Sequence, residues 1–126
     1  MFIKIELNSE RPIYVQIYDQ IVGAIASGEL KEGTIIPSAR KLSKDLGVNF
    51  HTVNKAYDIL REKGFLFMNR KKEYIIQKSI DLKYIENWKE LEKKMVNEAI
   101  AKGMTEKDII SVLKDILKKT KEGENL

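Results

Sequence analysis

Residues 38–64 read SARKLSKDLGVNFHTVNKAYDILREKG, two runs with apolar residues at helical spacing separated by Gly47 and Val48. Ser38 is a good helix N-cap, Leu42 and Leu46 lie four apart on one face, and Gly47 is a natural stop, which predicts a helix of about two turns from Ser38 to Leu46. Asn49 offers a side-chain oxygen to cap a longer helix, Asn49 to Lys63, which ends at Gly64 and faces inward with Val53, Ala56, Tyr57 and Leu60. Two helices joined by a short turn containing glycine form a helix-turn-helix. The small side chain of Ala56 lets the helices approach closely, so a larger residue there is expected to be disruptive.

On the N-terminal side, a helix is predicted from Pro12 to Ser27, stopped by Gly28, because Ile13, Ile17, Ile21 and Ile25 repeat every fourth residue with Tyr14 and Tyr18 beside them. The segment GELKEGTIIPS that follows reads as a turn leading through a brief strand at Thr34 to Ile36. On the C-terminal side, the apolar runs Phe65 to Met68 and Tyr74 to Ile76 flank a polar, basic tip at Asn69 to Glu73, the pattern of a β-hairpin or wing. Asn69 is the tip residue suited to a positive φ. The fold class expected is therefore mostly α with a small β-hairpin: a winged helix-turn-helix domain over residues 1–79.

Residues 80–126 carry two more amphipathic helices. One runs from about Lys83 to Lys102 with Ile85, Trp88, Leu91, Met95, Val96, Ala99 and Ile100, stopped by Gly103. The other opens at Thr105, with Asp108 three residues on as in a capping box, and bears Ile109, Val112, Leu113, Ile116 and Leu117. Such a pair cannot make a core alone, so its stripes need the N-terminal domain or a second copy of the chain, and the second copy is preferred. The expected homodimer interface is Ile85, Trp88, Leu91, Met95, Ile109, Val112, Leu113 and Ile116. Trp88 and Met95 also suit an effector pocket, although helical spacing favours dimer core. Lys121 to Leu126 are polar and expected to fray.

Charge is unevenly placed. Residues 1–79 carry 13 Lys and Arg against 9 Asp and Glu, whereas residues 80–126 carry 10 of each, so the whole excess of +4 lies in the first part. A basic module beside a neutral helical segment fits polyanion binding with separate oligomerisation. The chain has no cysteine, which removes disulfides, thiolate nucleophiles and Cys-ligated zinc. A single histidine, His51, cannot build a tetrahedral zinc site by itself. No apolar run approaches the roughly 20 residues of a membrane span, and the charged opening is unlike a signal peptide, so a cytoplasmic protein without membrane contact is expected.

In a helix-turn-helix the second helix enters the DNA major groove and its N-terminal residues reach base edges. Here those are Asn49, His51, Thr52, Asn54 and Lys55. Asn bonds adenine in bidentate fashion, Thr offers a hydroxyl and a methyl, and Lys reaches guanine or phosphate. Phe50 either touches a thymine methyl or braces the turn. Arg70, Lys71 and Lys72 at the wing tip are candidate phosphate contacts or simply a solvated hairpin end.

The run from Pro12 to Leu66 resembles the DNA-binding domain of the GntR family of bacterial repressors. The resemblance is carried by Pro12-Ile13-Tyr14, Ser27-Gly28-Glu29-Leu30, the Pro37-Ser38-x-Arg40 start of the second helix, Leu46-Gly47-Val48, Thr52-Val53-Asn54-Lys55-Ala56-Tyr57 and Glu62-Lys63-Gly64. The short C-terminal part is similar to that of the YtrA-like subgroup. The resemblance implies that Ser38 and Arg40 belong to the DNA contact, with the start of the reading helix and the wing tip. It also implies a homodimer that represses from a palindromic double-stranded operator, in a subgroup often encoded beside ATP-driven transporters. Two departures stand out: Phe50 replaces an arginine common after the cap, which implies an operator richer in AT, and the wing lacks paired glycines. Arg40 has a structural alternative as ion-pair partner of Asp19 or Asp58.

The competing class is a winged-helix protein-interaction or RNA-binding adaptor, since fold does not fix function. It would show an apolar outer face on the reading helix, whereas the residues there are His51, Asn54, Lys55, Asp58, Arg61 and Glu62. An enzyme is not expected, because there is no phosphate loop, metal-ligand cluster or nucleophile with its base. No cofactor is implied, and no residue pattern identifies a small-molecule effector.

Overall fold

The computed structural model describes residues 3–123 and divides into two compact units, Met1–Lys78 and Ser79–Leu126. In the first unit α1 (Ile13–Ser27) is followed by β1 (Ile35–Ile36), α2 (Ala39–Leu46), α3 (Phe50–Glu62), β2 (Leu66–Met68) and β3 (Tyr74–Ile76). In the second, α4 is Leu82–Ala101 and α5 is Glu106–Lys121.

The helices form where periodicity and caps place them. Gly28 ends α1 with φ 87°, Ser38 Oγ accepts the amide of Lys41 at the start of α2, and Gly47 ends α2 with φ 68°. Those positive φ values are costly for a residue with a Cβ. Pro12 stands just ahead of α1, where its missing N–H costs no helical hydrogen bond. Central to the unit is α3, which packs on α1, α2 and β2. Its inner face of Val53, Ala56, Tyr57 and Leu60 is fully buried among Ile17, Ile21 and Ile25 of α1, Leu42 of α2, and Leu66 and Ile76 of the sheet.

The wing is larger than a hairpin. β1 joins it, giving a three-stranded antiparallel sheet in the order β1-β3-β2, with Ile36 and Met68 both opposite Tyr74, and Leu66 opposite Ile76. Ile36, Leu66, Tyr74 and Ile76 face the core, while Ile35, Phe67 and Ile75 line up across the other face. A two-residue strand cannot stand alone, and pairing with β3 satisfies its backbone.

A second addition precedes α1. Ile3 is buried, and the extended segment around it is held by two glutamines one helical turn apart. Gln16 Oε1 accepts from the Glu6 amide at 2.9 Å, and its Nε2 donates to the carbonyls of Glu6 (3.0 Å) and Arg11 (2.9 Å). Gln20 makes the same two-way exchange with the backbone of Lys4. A buried amide is stable only when its hydrogen bonds are met, and Gln16 meets them on this strap.

In the second unit, Asp81 caps α4 by accepting from the Tyr84 amide, so the helix starts a residue earlier than its sequence indicates. Thr105 and Asp108 form a reciprocal capping box on α5, and the Thr105 backbone amide donating to the Asp108 carboxylate, with the Thr105 side chain beside it, holds that carboxyl below its ordinary pKa. No residue of α4 or α5 is buried, and the two helices do not pack along their lengths. Helix α5 continues through Lys121 and closes on Glu122 and Gly123, inside the stretch expected to fray. The remainder of that expectation, at residues 124–126, lies outside the described residues.

Candidate nucleic-acid interface

Arg40 and Phe50 form the centre of the candidate surface. Arg40 is exposed in the first turn of α2, Phe50 is the first residue of α3, and the guanidinium carbon lies 4.6 Å from the Phe50 ring centroid. The ring is half-buried against the core and meets the His51 imidazole edge-on at 5.5 Å. Phe50 thus packs where it can brace the turn, one of its two expected roles. The alternative ion pairs of Arg40 do not form: Asp19 pairs with Arg11, and no ion pair of Arg40 or Asp58 occurs among the described residues.

Asn49 caps α3, its Oδ1 accepting from the His51 amide at 2.8 Å. That oxygen is committed to the cap, which leaves Asn54 better placed for a two-bond contact with a base. His51 is exposed, and Thr52 and Asn54 are half-buried on either side of the outer face. Lys55 is exposed but turns toward α1, with its ammonium 4.0 Å from the Tyr14 ring centroid. Lys63 makes a longer contact of the same kind with Tyr18, at 5.1 Å. The second half of the outer face carries Asp58, Arg61 and Glu62, a net negative charge, whereas the first turn and a half carries no acidic side chain.

The wing tip is built on Asn69, although not through a positive φ. Its Oδ1 accepts the amides of Lys71 (3.0 Å) and Glu73 (2.9 Å), and its Nδ2 donates to the Glu73 carboxylate. Lys72 takes the left-handed conformation instead, at φ 66°. The side chain of Asn69 imitates a backbone turn and so fixes its own φ, which shifts the strained position along the chain. Arg70, Lys71 and Lys72 are all exposed and form no ion pair among the described residues.

Tyr57 buttresses this surface from behind. It is fully buried, packs edge-on against Tyr74 at 5.0 Å, and donates its hydroxyl to the Pro37 carbonyl. Burial, with Tyr74 beside it, pushes its phenol well above the ordinary tyrosine range. Pro37 immediately precedes the Ser38 cap, so this bond ties the start of α2 to the middle of α3.

In the second unit Ile85, Trp88, Leu91, Met95, Val112, Leu113 and Ile116 are exposed and Ile109 is half-buried. An open notch is lined by Met95, Glu98, Ala99, Lys102 and Met104; Trp88 is not part of it. No group of three or more metal-ligating side chains occurs among the described residues, and no helix there is long and apolar enough to cross a membrane.

A short helix, a glycine turn, a capped second helix and a three-stranded sheet ending in a basic tip define a winged helix-turn-helix. The chain belongs to the gntR family of bacterial regulatory proteins, whose family model matches residues 13–74. It is 40% identical to YtrA from Sulfolobus acidocaldarius, a GntR-family transcription factor, over 80% of this chain and 99% of that one, with a TM-score of 0.67. A transcriptional antiterminator from Listeria monocytogenes EGD-e is 25% identical, matching 100% of this chain and 97% of its own, with a TM-score of 0.78. The HTH-type transcriptional repressor YtrA of Bacillus subtilis is 38% identical over 64 residues, 51% of this chain and 49% of that protein. The chain spans half or less of the curated relatives it matches, from 13% to 49% of their length. It carries the winged helix-turn-helix of the DNA-binding regulators of that family.

Proposed function

We propose that this chain is a sequence-specific repressor that acts in the cytoplasm as a homodimer on a palindromic operator. The observation that carries the reading is the joining of Arg40 to the start of α3: it sets the Arg40 cation beside a polar edge that includes Ser38, Asn49, His51, Thr52 and Asn54. Lys55 serves phosphate rather than a base, and Arg70, Lys71 and Lys72 track the neighbouring backbone. Affinity rests largely on such phosphate contacts and falls steeply with salt.

The apolar faces of α4 and α5 support the dimer. At 3.6 residues per turn, Tyr84, Ile85, Trp88, Leu91, Met95, Val96 and Ile100 spread over roughly half the circumference of α4, wider than the ~100° stripe that one core requires. Surfaces this apolar and this exposed need a cover, and a second copy supplies one while setting two reading helices roughly 34 Å apart. The B. subtilis relative is a repressor by name, which supports repression here; control of a transporter operon is the gene-level form of the same proposal.

Selection of bound sequences from random duplex DNA tests it. A palindrome is expected, with a preference lost when Thr52 or Asn54 is replaced by alanine. Equal affinity for all duplexes at physiological salt, or tighter binding to an RNA duplex competitor, refutes it.

A further inference from the structure

We infer that Phe50 is a positioning residue for Arg40: the aromatic platform at the start of α3 holds the guanidinium in the orientation in which it meets DNA. This rests on the DNA-binding reading above and adds a residue to it that contacts no DNA itself.

The geometry is specific. A cation within about 6 Å of a ring centroid is attracted to the ring face, and the Arg40 guanidinium carbon lies at 4.6 Å. The ring cannot follow a wandering side chain, because it is packed on the core from within and meets the His51 ring edge. Arg40 has no ion pair among the described residues, so Phe50 is its restraint. An exposed arginine without a partner samples many rotamers, all but one of which are lost on binding. Stacking removes part of that loss beforehand. The guanidinium N–H groups, free of any ion pair among the described residues, stay available for the two-pronged contact with a phosphate or with guanine O6 and N7. The two residues lie ten positions apart, and the Gly47 turn brings them together.

The test is a double-mutant cycle. Phe50→Leu keeps an apolar plug in the turn and removes the ring, whereas Phe50→Tyr keeps the ring; each is combined with Arg40→Ala. Binding is measured by fluorescence anisotropy on a duplex of about three helical turns carrying the site that the wild type selects, and on an unrelated duplex of equal length. Phe50→Leu is expected to weaken binding about two- to fivefold, Phe50→Tyr to bind within about twofold of wild type, and Phe50→Leu to have no effect once Arg40 is alanine. Equal loss on both duplexes assigns the Arg40 contact to phosphate; loss confined to the selected duplex assigns it to guanine. Additive effects, or a loss in Phe50→Tyr as large as in Phe50→Leu, overturn the proposal.

A second readout needs no DNA and no folded variant. In the free wild-type protein the Arg40 δ-CH2 protons should be shifted upfield by the Phe50 ring current in an NMR spectrum, and their appearance at random-coil positions overturns the proposal. A wild type that binds no DNA while showing the shift refutes the repressor reading instead.

Discussion

The Tyr57 hydroxyl donates a 2.7 Å hydrogen bond to the carbonyl of Pro37, which links the buried face of α3 to the residue before the α2 cap. The angle between the two helices of the helix-turn-helix is thereby held at two points: the Gly47 turn at one end and this bond in the core. A phenol in this place supplies bulk for the core and a donor for a backbone group that α2 leaves unpaired.

Tyr57→Phe is expected to cost about 1–2 kcal/mol, because the Pro37 carbonyl keeps its burial and loses its donor. That lowers the unfolding temperature by several degrees in a domain of this size. The pH dependence has a definite sign. The unfolded tyrosine ionises near pH 10, while burial raises the value in the folded protein. The stabilisation is therefore complete below about pH 10 and is lost as pH rises beyond it. Urea unfolding of both proteins from neutral pH upward should show the gap between them closing in strong alkali; a gap that widens there contradicts the assignment.

Gln16→Leu removes the hydrogen bonds to Glu6 and Arg11 and is expected to destabilise the first unit by roughly 1–3 kcal/mol. The local signature is more telling. Amide exchange at Glu6 should speed up markedly while that at Lys4, held by Gln20, changes less. Unaltered protection at Glu6 would show that the strap is held by Ile3 packing alone.

At the wing tip, Lys72→Gly relieves the left-handed backbone, a gain of up to about 1 kcal/mol after the flexibility of glycine is allowed for. Stability and binding should move in opposite directions, since the loss of one phosphate contact lowers the slope of log affinity against log salt by about 0.9. Asn69→Ala should lower stability, because it breaks the bonds to Lys71 and Glu73. Thermal unfolding and salt titrations of both variants check the pair of signs.

Ile116→Asp places a charge on the apolar face of α5, where half of the wild-type side chain is exposed in one chain. Burial of that carboxylate in a dimer is strongly unfavourable, so sedimentation should report a monomer. Binding to a duplex with two half-sites should fall far more than binding to one half-site. A variant that remains dimeric at micromolar concentration locates the interface elsewhere.

Caps and periodic apolar stripes act over a few residues, so the sequence alone determined all five helices, the glycine turn at Gly47, the basic tip and the polar first turn of α3. The strap was within reach too, because Ile3-Lys4-Ile5-Glu6 alternates apolar and charged residues as a strand does. Only the tertiary structure decided the remainder: that β1 pairs with β3, that Gln16 and Gln20 clasp the strap, that Lys55 turns to Tyr14, and that Phe50 lies under Arg40. Each of these joins residues ten or more positions apart. Their pairing depends on which side chains the packed helices bring within reach and in what direction they point, and no local pattern along the chain carries that information.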